Sequence, residues 1–386
     1  MTITENTTNT EREAELVAWA GSLGEKIGAH ARRHDIDGTF VDEAYRLLRD
    51  EGYLALAVPT EMGGHGATIR QTAMAQRELA RHCASTALAS SMHQHVVLFT
   101  GWRYRRDLPG AEATLRRVAA DRIILASTGG ADFTTPRGVA EAVEGGYRVS
   151  GRKVFVSQAP VADVLSTMFT FDDPAAGERR VLNLAVPTAA EGVRIVETWD
   201  AHGMRGTGSH DVELNDVFVP ADKVLANRPY GVVDAPLQAI VANAFPVITA
   251  VYLGVAESAR DHAVAAIAGT TKADDPSVQR TVGLIDHHLR TCGWALDGAL
   301  AVVGDDPTPS QECVAAVMSA KRTVAIAGLE ACELAMDAVG GPSFARSNPI
   351  EQCVRDMRGA RFHPFTPEET LTHAGRLALG RDASGS

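Results

Sequence analysis

Two helical stretches flank one β-rich stretch, and that order leaves the chain few architectures. Upstream of Arg122, apolar residues recur three and four apart: Leu16, Ala20, Leu23 and Ile27, then Val41, Ala44, Leu47 and Leu48. That spacing lines one face of a helix. Pro59-Thr60-Glu61-Met62-Gly63-Gly64-His65-Gly66 interrupts the helices, Ile69 to His82 forms another, and a small-residue stretch from Ala84 to Val97 follows. At Arg122 the texture changes. Ile123 to Ala126, Gly145 to Val149, Lys153 to Val156, Val164 to Phe171, Val181 to Val186, Val193 to Val196 and Asp211 to Val219 are short β-rich runs punctuated by Gly, Pro and Asp. Such runs predict a barrel or a sandwich. After Pro236 the pattern is helical again, with helices expected over Leu237 to Ala268 (kinked at Pro246), Pro276 to Val303, Gln311 to Val339, and about Thr366 to Leu379. The expected fold class is α+β with segregated layers. Its parts are an all-α domain over 1–121, a β-domain over 122–232 and a helical domain over 233–386.

Composition narrows the function classes. Of 386 residues, 45% are hydrophobic and 22% charged, enough for a core and too apolar for a disordered chain. The net charge of −11, with no Lys/Arg cluster, argues against nucleic acid as a partner. No apolar run approaches the ~20 residues of a membrane span, so no membrane partner is expected. The start, MTITENTTNTERE, lacks a basic then apolar leader, so Asn6-Thr7-Thr8 reads as a chance sequon and residues 1–10 as frayed. Cys83, Cys292, Cys313, Cys332 and Cys353 are odd in number, widely spaced and without CxxC, as for reduced thiols in a cytoplasmic protein.

Taken alone, the chemistry-bearing segments leave alternatives open. Ala126-Ser127-Thr128-Gly129-Gly130-Ala131-Asp132 follows a strand and collects small donors that suit a polar heterocycle or a phosphate, or else forms a solvated turn. Gly203-Met204-Arg205-Gly206-Thr207-Gly208-Ser209 precedes a strand, which argues against a dinucleotide fingerprint. It is either a glycine turn or a place where Arg205 holds an anion. HExxH, GxSxG and the GxxxxGK[ST] loop are all absent. His93 and His95 flank Gln94 and would not share a helical face. Each of them, like His363 before the last helix, is either a reactive imidazole or a satisfied structural one.

Five local patterns, in order, resemble the acyl-CoA dehydrogenase superfamily along nearly the whole chain. They are Val58 to Gly66, the strand pair Gly145 to Ser157, Gly203 to Ser209 with Asp216-Val217-Phe218-Val219-Pro220, Val339-Gly340-Gly341, and Val354-Arg355-Asp356. The resemblance implies an α-helical domain, a β-barrel and a C-terminal four-helix bundle, in a homo-oligomer (tetramer or dimer). It also implies flavin held by Ser127, Thr128, Phe155, Ser157, Arg205, Gly340 and Gly341.

Departures from the superfamily's dehydrogenases point to another branch. Their catalytic glutamate would fall at Pro364 or, in the first bundle helix, at Ala244, and their FAD-clamping arginine at Thr270. A thioester α-proton needs a strong, placed base, so these losses are costly. Flavin-dependent monooxygenases of this fold carry a histidine seven residues after the aspartate, where His363 stands, and another near the end of the early helices, at His93 or His95. That branch implies reduced FAD or FMN delivered by a separate flavin reductase, and O2 as co-substrate. It also implies a C4a-hydroperoxide shielded from water, and a small aromatic or natural-product substrate. His93, His363 and Ser127 are the expected catalytic residues. The alternative is an acyl-CoA or acyl-carrier dehydrogenase with its base relocated to Glu368; a third reading is a silent partner subunit.

Overall fold

The computed structural model describes Thr8 to Ala383. The expected fraying of residues 1–7, and Asn6 and Thr7 of the sequon, lie outside the described residues. From Thr8 the chain is capped. The Glu11 N–H donates to Thr8 Oγ1 at 3.3 Å and the Thr8 N–H to the Glu11 carboxylate at 2.9 Å, a reciprocal pair that satisfies two orphan donors of the first turn. Five helices follow: α1 (Asn9–Asp37), α2 (Asp42–Asp50), α3 (Ile69–His82), α4 (Ala84–Tyr104) and α5 (Ala111–Ala120).

Eight strands succeed them: β1 (Leu125–Ser127), β2 (Val139–Val143), β3 (Gly146–Val156), β4 (Val164–Asp173), β5 (Glu178–Pro187), β6 (Val193–Val196), β7 (His210–Pro220) and β8 (Val224–Pro229). They form one sheet in the order β6-β7-β3-β2-β4-β5-β8, with β1 parallel to β4. The sheet curls so that Val149 and Val156 of β3, Leu165 and Phe169 of β4, Leu182 and Leu184 of β5, and Val212 and Leu214 of β7 share one core. The expected barrel is present as an open one, because the end strands β6 and β8 are not paired with each other. Its seam is thin: β2 meets β4 only at Val139 opposite Thr170.

The C-terminal helices are α6 (Ala235–Ile267), α7 (Pro276–Val303), α8 (Gln311–Thr323), α9 (Leu329–Val339), α10 (Pro349–Met357) and α11 (Pro367–Ala378). The helix expected over Gln311 to Val339 is divided into α8 and α9 by one π-helical turn, Val324–Gly328. Asp234, Asp275 and Ser310 cap α6, α7 and α8 with their side-chain oxygens. Helix α6 runs through Pro246 as one element and packs against α3 and α4 on one flank and α7, α8, α9 and α10 on the other. Contrary to the reading of the apolar runs, α6 is long and apolar enough to cross a membrane. Its most apolar stretch is wholly buried inside the protein, as a core helix requires.

Candidate active site

The bundle side of the site is the segment between α10 and α11. His363 lies there, and its Nε2 hydrogen-bonds the Tyr252 hydroxyl of α6 at 2.9 Å. No described residue bonds its Nδ1. Burial, then the positive charge of Lys321, then His95, push His363 down to about 3, so the ring is neutral at physiological pH. Lys321 of α8 donates to the carbonyls of His363 at 2.8 Å and Phe365 at 2.6 Å. Pro364 rests on Gly130 of the β-domain, where a Cβ would come within 2.2 Å of its ring. Glycine at 130 is therefore required for the two parts to close.

The opposing side is built by α4 and β1. His95 Nε2 lies 3.0 Å from Ser127 Oγ, which also lies 3.9 Å from Met92 Sδ. Burial pushes His95 down to about 4. Thr128 Oγ1 is turned away from this pair, donating to Thr167 Oγ1 at 3.1 Å. His93 is a correction. Its Nε2–H donates to the Leu54 carbonyl at 2.8 Å and its Nδ1 accepts the Leu125 N–H at 3.0 Å. Both nitrogens are spent on backbone, so His93 joins α4 to β1 and has no atom left for a ligand. Its neighbour His95 occupies the face toward Ser127.

A chain of hydroxyls runs from the β-domain exit to the end of β3. Thr207 Oγ1 and Ser209 Oγ are 2.7 Å apart, and Ser209 Oγ and Ser157 Oγ 2.9 Å. Beside them Phe155 holds a positive φ of 57° and is 63% exposed, with Trp199 edge-on at 6.0 Å and 87°. A non-glycine residue in that conformation presenting an aromatic face to solvent is a strained arrangement that suits a flat ring partner. Ser157 and Phe155 therefore fit a flavin ring, with Ser157 placed as a hydrogen-bond donor.

Arg205 is the second correction. Its Nε donates to the Asp35 carbonyl at 2.7 Å, and another guanidinium nitrogen contacts the Ala201 carbonyl at 3.0 Å and Asp200 at 3.2 Å. It ties its loop to the end of α1 through Nε and braces the loop itself through one terminal nitrogen. The same loop is pinned by the Met204 N–H donating to Asp356 and the Gly206 N–H donating to Ser85 Oγ at 3.1 Å. Gly203 lies against the Arg355 carbonyl, where a Cβ would come within 2.2 Å. Burial pushes Asp356 up to about 7. Gly340 and Gly341 stand beside Lys272, which donates to the Val339 carbonyl at 2.7 Å. Lys272 follows the C-terminal end of α6, some fifteen helical residues beyond Tyr252, or roughly 25 Å at 1.5 Å per residue.

The carboxylates that could serve as a carbon base are engaged elsewhere. Position 244 is a buried alanine. The Glu368 side chain is 75% exposed and pairs with Arg361 at 3.5 Å. Asp132 accepts from Lys153 at 2.7 Å. Apolar side chains close the region: Phe99, Trp102 and Ile240 cluster with Phe133 and Phe365, and Phe133 meets Phe245 edge-on at 6.4 Å. Two contributors, Tyr252 and Lys321, were not foreseen. Lys321 did leave a signal, since it occupies a position of α8 that continues the buried face of Val314, Val317 and Met318.

Comparison with known proteins agrees with this geometry. Three family profiles match in order: acyl-CoA dehydrogenase N-terminal domain over residues 10–104, middle domain over 126–217, and C-terminal domain over 246–368. L-evernosamine nitrososynthase of a Micromonospora species is 30% identical over 378 residues, covering 92% of this chain and 88% of that protein. A Bacillus subtilis protein named as an acyl-CoA dehydrogenase, YdbM, is 29% identical over 368 residues, covering 92% and 94%. The solved structure of KijD3 in complex with FMN and dTDP-3-amino-2,3,6-trideoxy-4-keto-3-methyl-D-glucose is 28% identical with a TM-score of 0.87, covering 99% of this chain and 95% of that one. The chain belongs to the acyl-CoA dehydrogenase family of flavin-dependent oxidoreductases.

Proposed function

We propose that the protein is a monooxygenase that uses reduced flavin, FMN or FAD, to insert oxygen from O2 into a small aromatic or natural-product substrate. The observation that carries this reading is His363: a neutral imidazole with an open Nδ1, on the side of the cleft where the family's dehydrogenases need a carboxylate. Reduced flavin, when bound, supplies the electrons that activate O2. Ser157 and Phe155 hold and orient its ring, with Ser127 and Thr128 on the neighbouring β-domain loop. His363 Nδ1, unprotonated because burial and Lys321 hold its pKa down to about 3, accepts a hydrogen bond from a substrate hydroxyl or amine and orients it. His95 and Ser127 form a hydrogen-bonded pair opposite it. Phe99, Phe133 and Phe365 exclude water from the reacting groups.

A separate flavin reductase fits this chemistry, because Thr270 offers no phosphate clamp and Arg205 is committed elsewhere. In a homo-oligomer, Gly340 and Gly341, which lie beside the C-terminal end of α6 with Lys272, serve the flavin of another copy. Five buried free thiols suit a reducing cytoplasm. The test supplies NADH, a flavin reductase, FMN or FAD, and 18O2, then screens small phenols, indoles and amino sugars by mass spectrometry. An 18O-labelled product is expected. Turnover of an acyl thioester under anaerobic conditions with an artificial electron acceptor, without oxygenation of any substrate, would overturn the reading in favour of a dehydrogenase.

A further inference from the structure

Among the described residues, Lys321 is a buried cation with no acid in ion-pair contact, and Glu369 acts on it only from a distance. Its side chain is 4% exposed, yet among the described residues no carboxylate lies within ion-pair distance. The other deeply buried lysine, Lys153, shows the usual solution: it sits 2.7 Å from Asp132 and also donates to the carbonyls of Arg137 and Met168. Burying an ammonium without a counter-ion is costly, and a methionine would satisfy the same apolar face of α8 at no such cost. The fold alone therefore gives no reason for the charge.

The hydrogen bonds supply a reason. Both acceptors of Lys321 belong to one short segment, the carbonyls of His363 and Phe365. Together with the Tyr252 hydroxyl on Nε2 and the Gly130 contact on Pro364, they hold the segment from three directions. We propose that Lys321 is a positioning residue for the proposed oxygenation site: by clasping the two carbonyls it fixes where the His363 ring stands and which way Nδ1 faces. This rests on the monooxygenase reading.

The charged and titratable groups around the pair are few. His95 faces His363 from α4, Tyr252 from α6 and Lys321 from α8; Glu369 faces Lys321 from α11; Arg361 and Glu368 pair on the outer side. The ammonium also helps keep the imidazole unprotonated. Burial, offset by Glu369, brings Lys321 down to about 8, so the clasp carries its charge at neutral pH and sheds it in mild alkali.

The test compares wild type with Lys321→Met, Lys321→Gln and Lys321→Arg as full-length proteins. The first readout needs no flavin: the His363 imidazole is titrated by NMR, assigned through a His363→Gln control. In Lys321→Met its midpoint should rise by at least one pH unit, and in Lys321→Arg it should stay within a few tenths of wild type. The second readout is coupling, the product formed per NADH oxidised. Lys321→Met should lose about tenfold, with hydrogen peroxide making up the balance, while flavin affinity changes less than threefold; Lys321→Arg should recover most of the loss. An unmoved His363 midpoint in both Lys321→Met and Lys321→Gln overturns the proposal. Coupling within twofold of wild type in both variants does so as well. If wild type itself oxygenates no substrate, the monooxygenase reading falls, and the NMR titration still decides whether Lys321 positions the ring. Should Lys321→Met not fold, Lys321→Gln carries both readouts.

Discussion

Two segments reach the cleft, 203–209 from the β-domain and 358–366 from the bundle, and they are fastened by different chemistry. The first is fastened chiefly by arginines, with the Asp356 carboxyl accepting the Met204 N–H beside them. Arg205 grips the end of α1, and Arg355 of α10 forms a two-pronged pair with Asp35 at 2.9 and 2.7 Å while also meeting Glu351. The second is held by the Tyr252 hydroxyl and by Lys321, and burial brings Lys321 down to about 8, so that fastening can lose its charge in mild alkali. A guanidinium is charged at any working pH and presents a rigid fork, which suits a permanent joint. The second segment carries the imidazole proposed to meet the substrate, and its lysine fastening titrates. Structure and reactivity are thus divided between neighbouring segments.

The largest effect is expected on the reactive segment. His363→Ala should lower oxygenation by about 10²-fold, the usual cost of a misplaced reacting group. Product formation measured with reductase and NADH checks this, and an unchanged rate would remove His363 from the mechanism. The permanent joint should respond in stability instead. Arg355→Ala leaves Asp35, 2% exposed, with Arg32 at 3.0 Å as its remaining ion-pair partner, and should cost about 2–3 kcal/mol in urea unfolding, below the full penalty of a stranded buried charge.

His93 and His95 repeat the contrast two residues apart on one helix. His93→Ala strands the Leu125 N–H and the Leu54 carbonyl and should cost about 2–4 kcal/mol with little specific effect on coupling. His95→Ala should do the reverse, with stability within about 1 kcal/mol of wild type and peroxide leakage increased. Equal losses of stability in the two variants would erase the distinction drawn from their hydrogen bonds.

A subtler effect concerns pH. Burial holds Asp356 at about 7 in the folded protein, above the ~3.9 of an unfolded chain. Between those values the folded state keeps a proton that the unfolded state sheds, so stability from this group falls as pH rises from 4 to 7. Asp356→Asn, whose side-chain oxygen still accepts the Met204 N–H, should flatten that decline by about 1–3 kcal/mol. Urea midpoints from pH 4 to 8 measure it, and an identical slope in the variant refutes it. Least of all should change in Arg116→Ala. It breaks an exposed pair with Glu112 at 2.8 Å and should stay within about 0.5 kcal/mol.

Local signals made the helices legible: the α7 limits, Pro276 and Val303, follow from an Asp-Pro start and a glycine stop. His363 was singled out by the family resemblance, seven residues after Asp356, and the structure brings it to the Tyr252 hydroxyl. His93 and His95 could not be separated, because every residue of α4 from Ala84 to Arg103 is buried and no periodicity marks which face looks into the cleft. Arg205 misled for a related reason. An arginine in a glycine turn suggests an anion, and only the fold brings the Asp35 carbonyl, 170 residues away, to its guanidinium. Lys321 was visible as a charge on an apolar face, but its acceptors lie over 40 residues downstream.

Helix α6 is walled by α3 and α4 on one flank and by α7 to α10 on the other, so neither helical part owns its own interior. A fragment cut before Ala235 would carry the inner surfaces of α3 and α4 bare into water. Recombination between relatives at Arg122 and Val232 would have to exchange both helical parts together, leaving the sheet as the one cassette that evolution or an engineer can swap by itself.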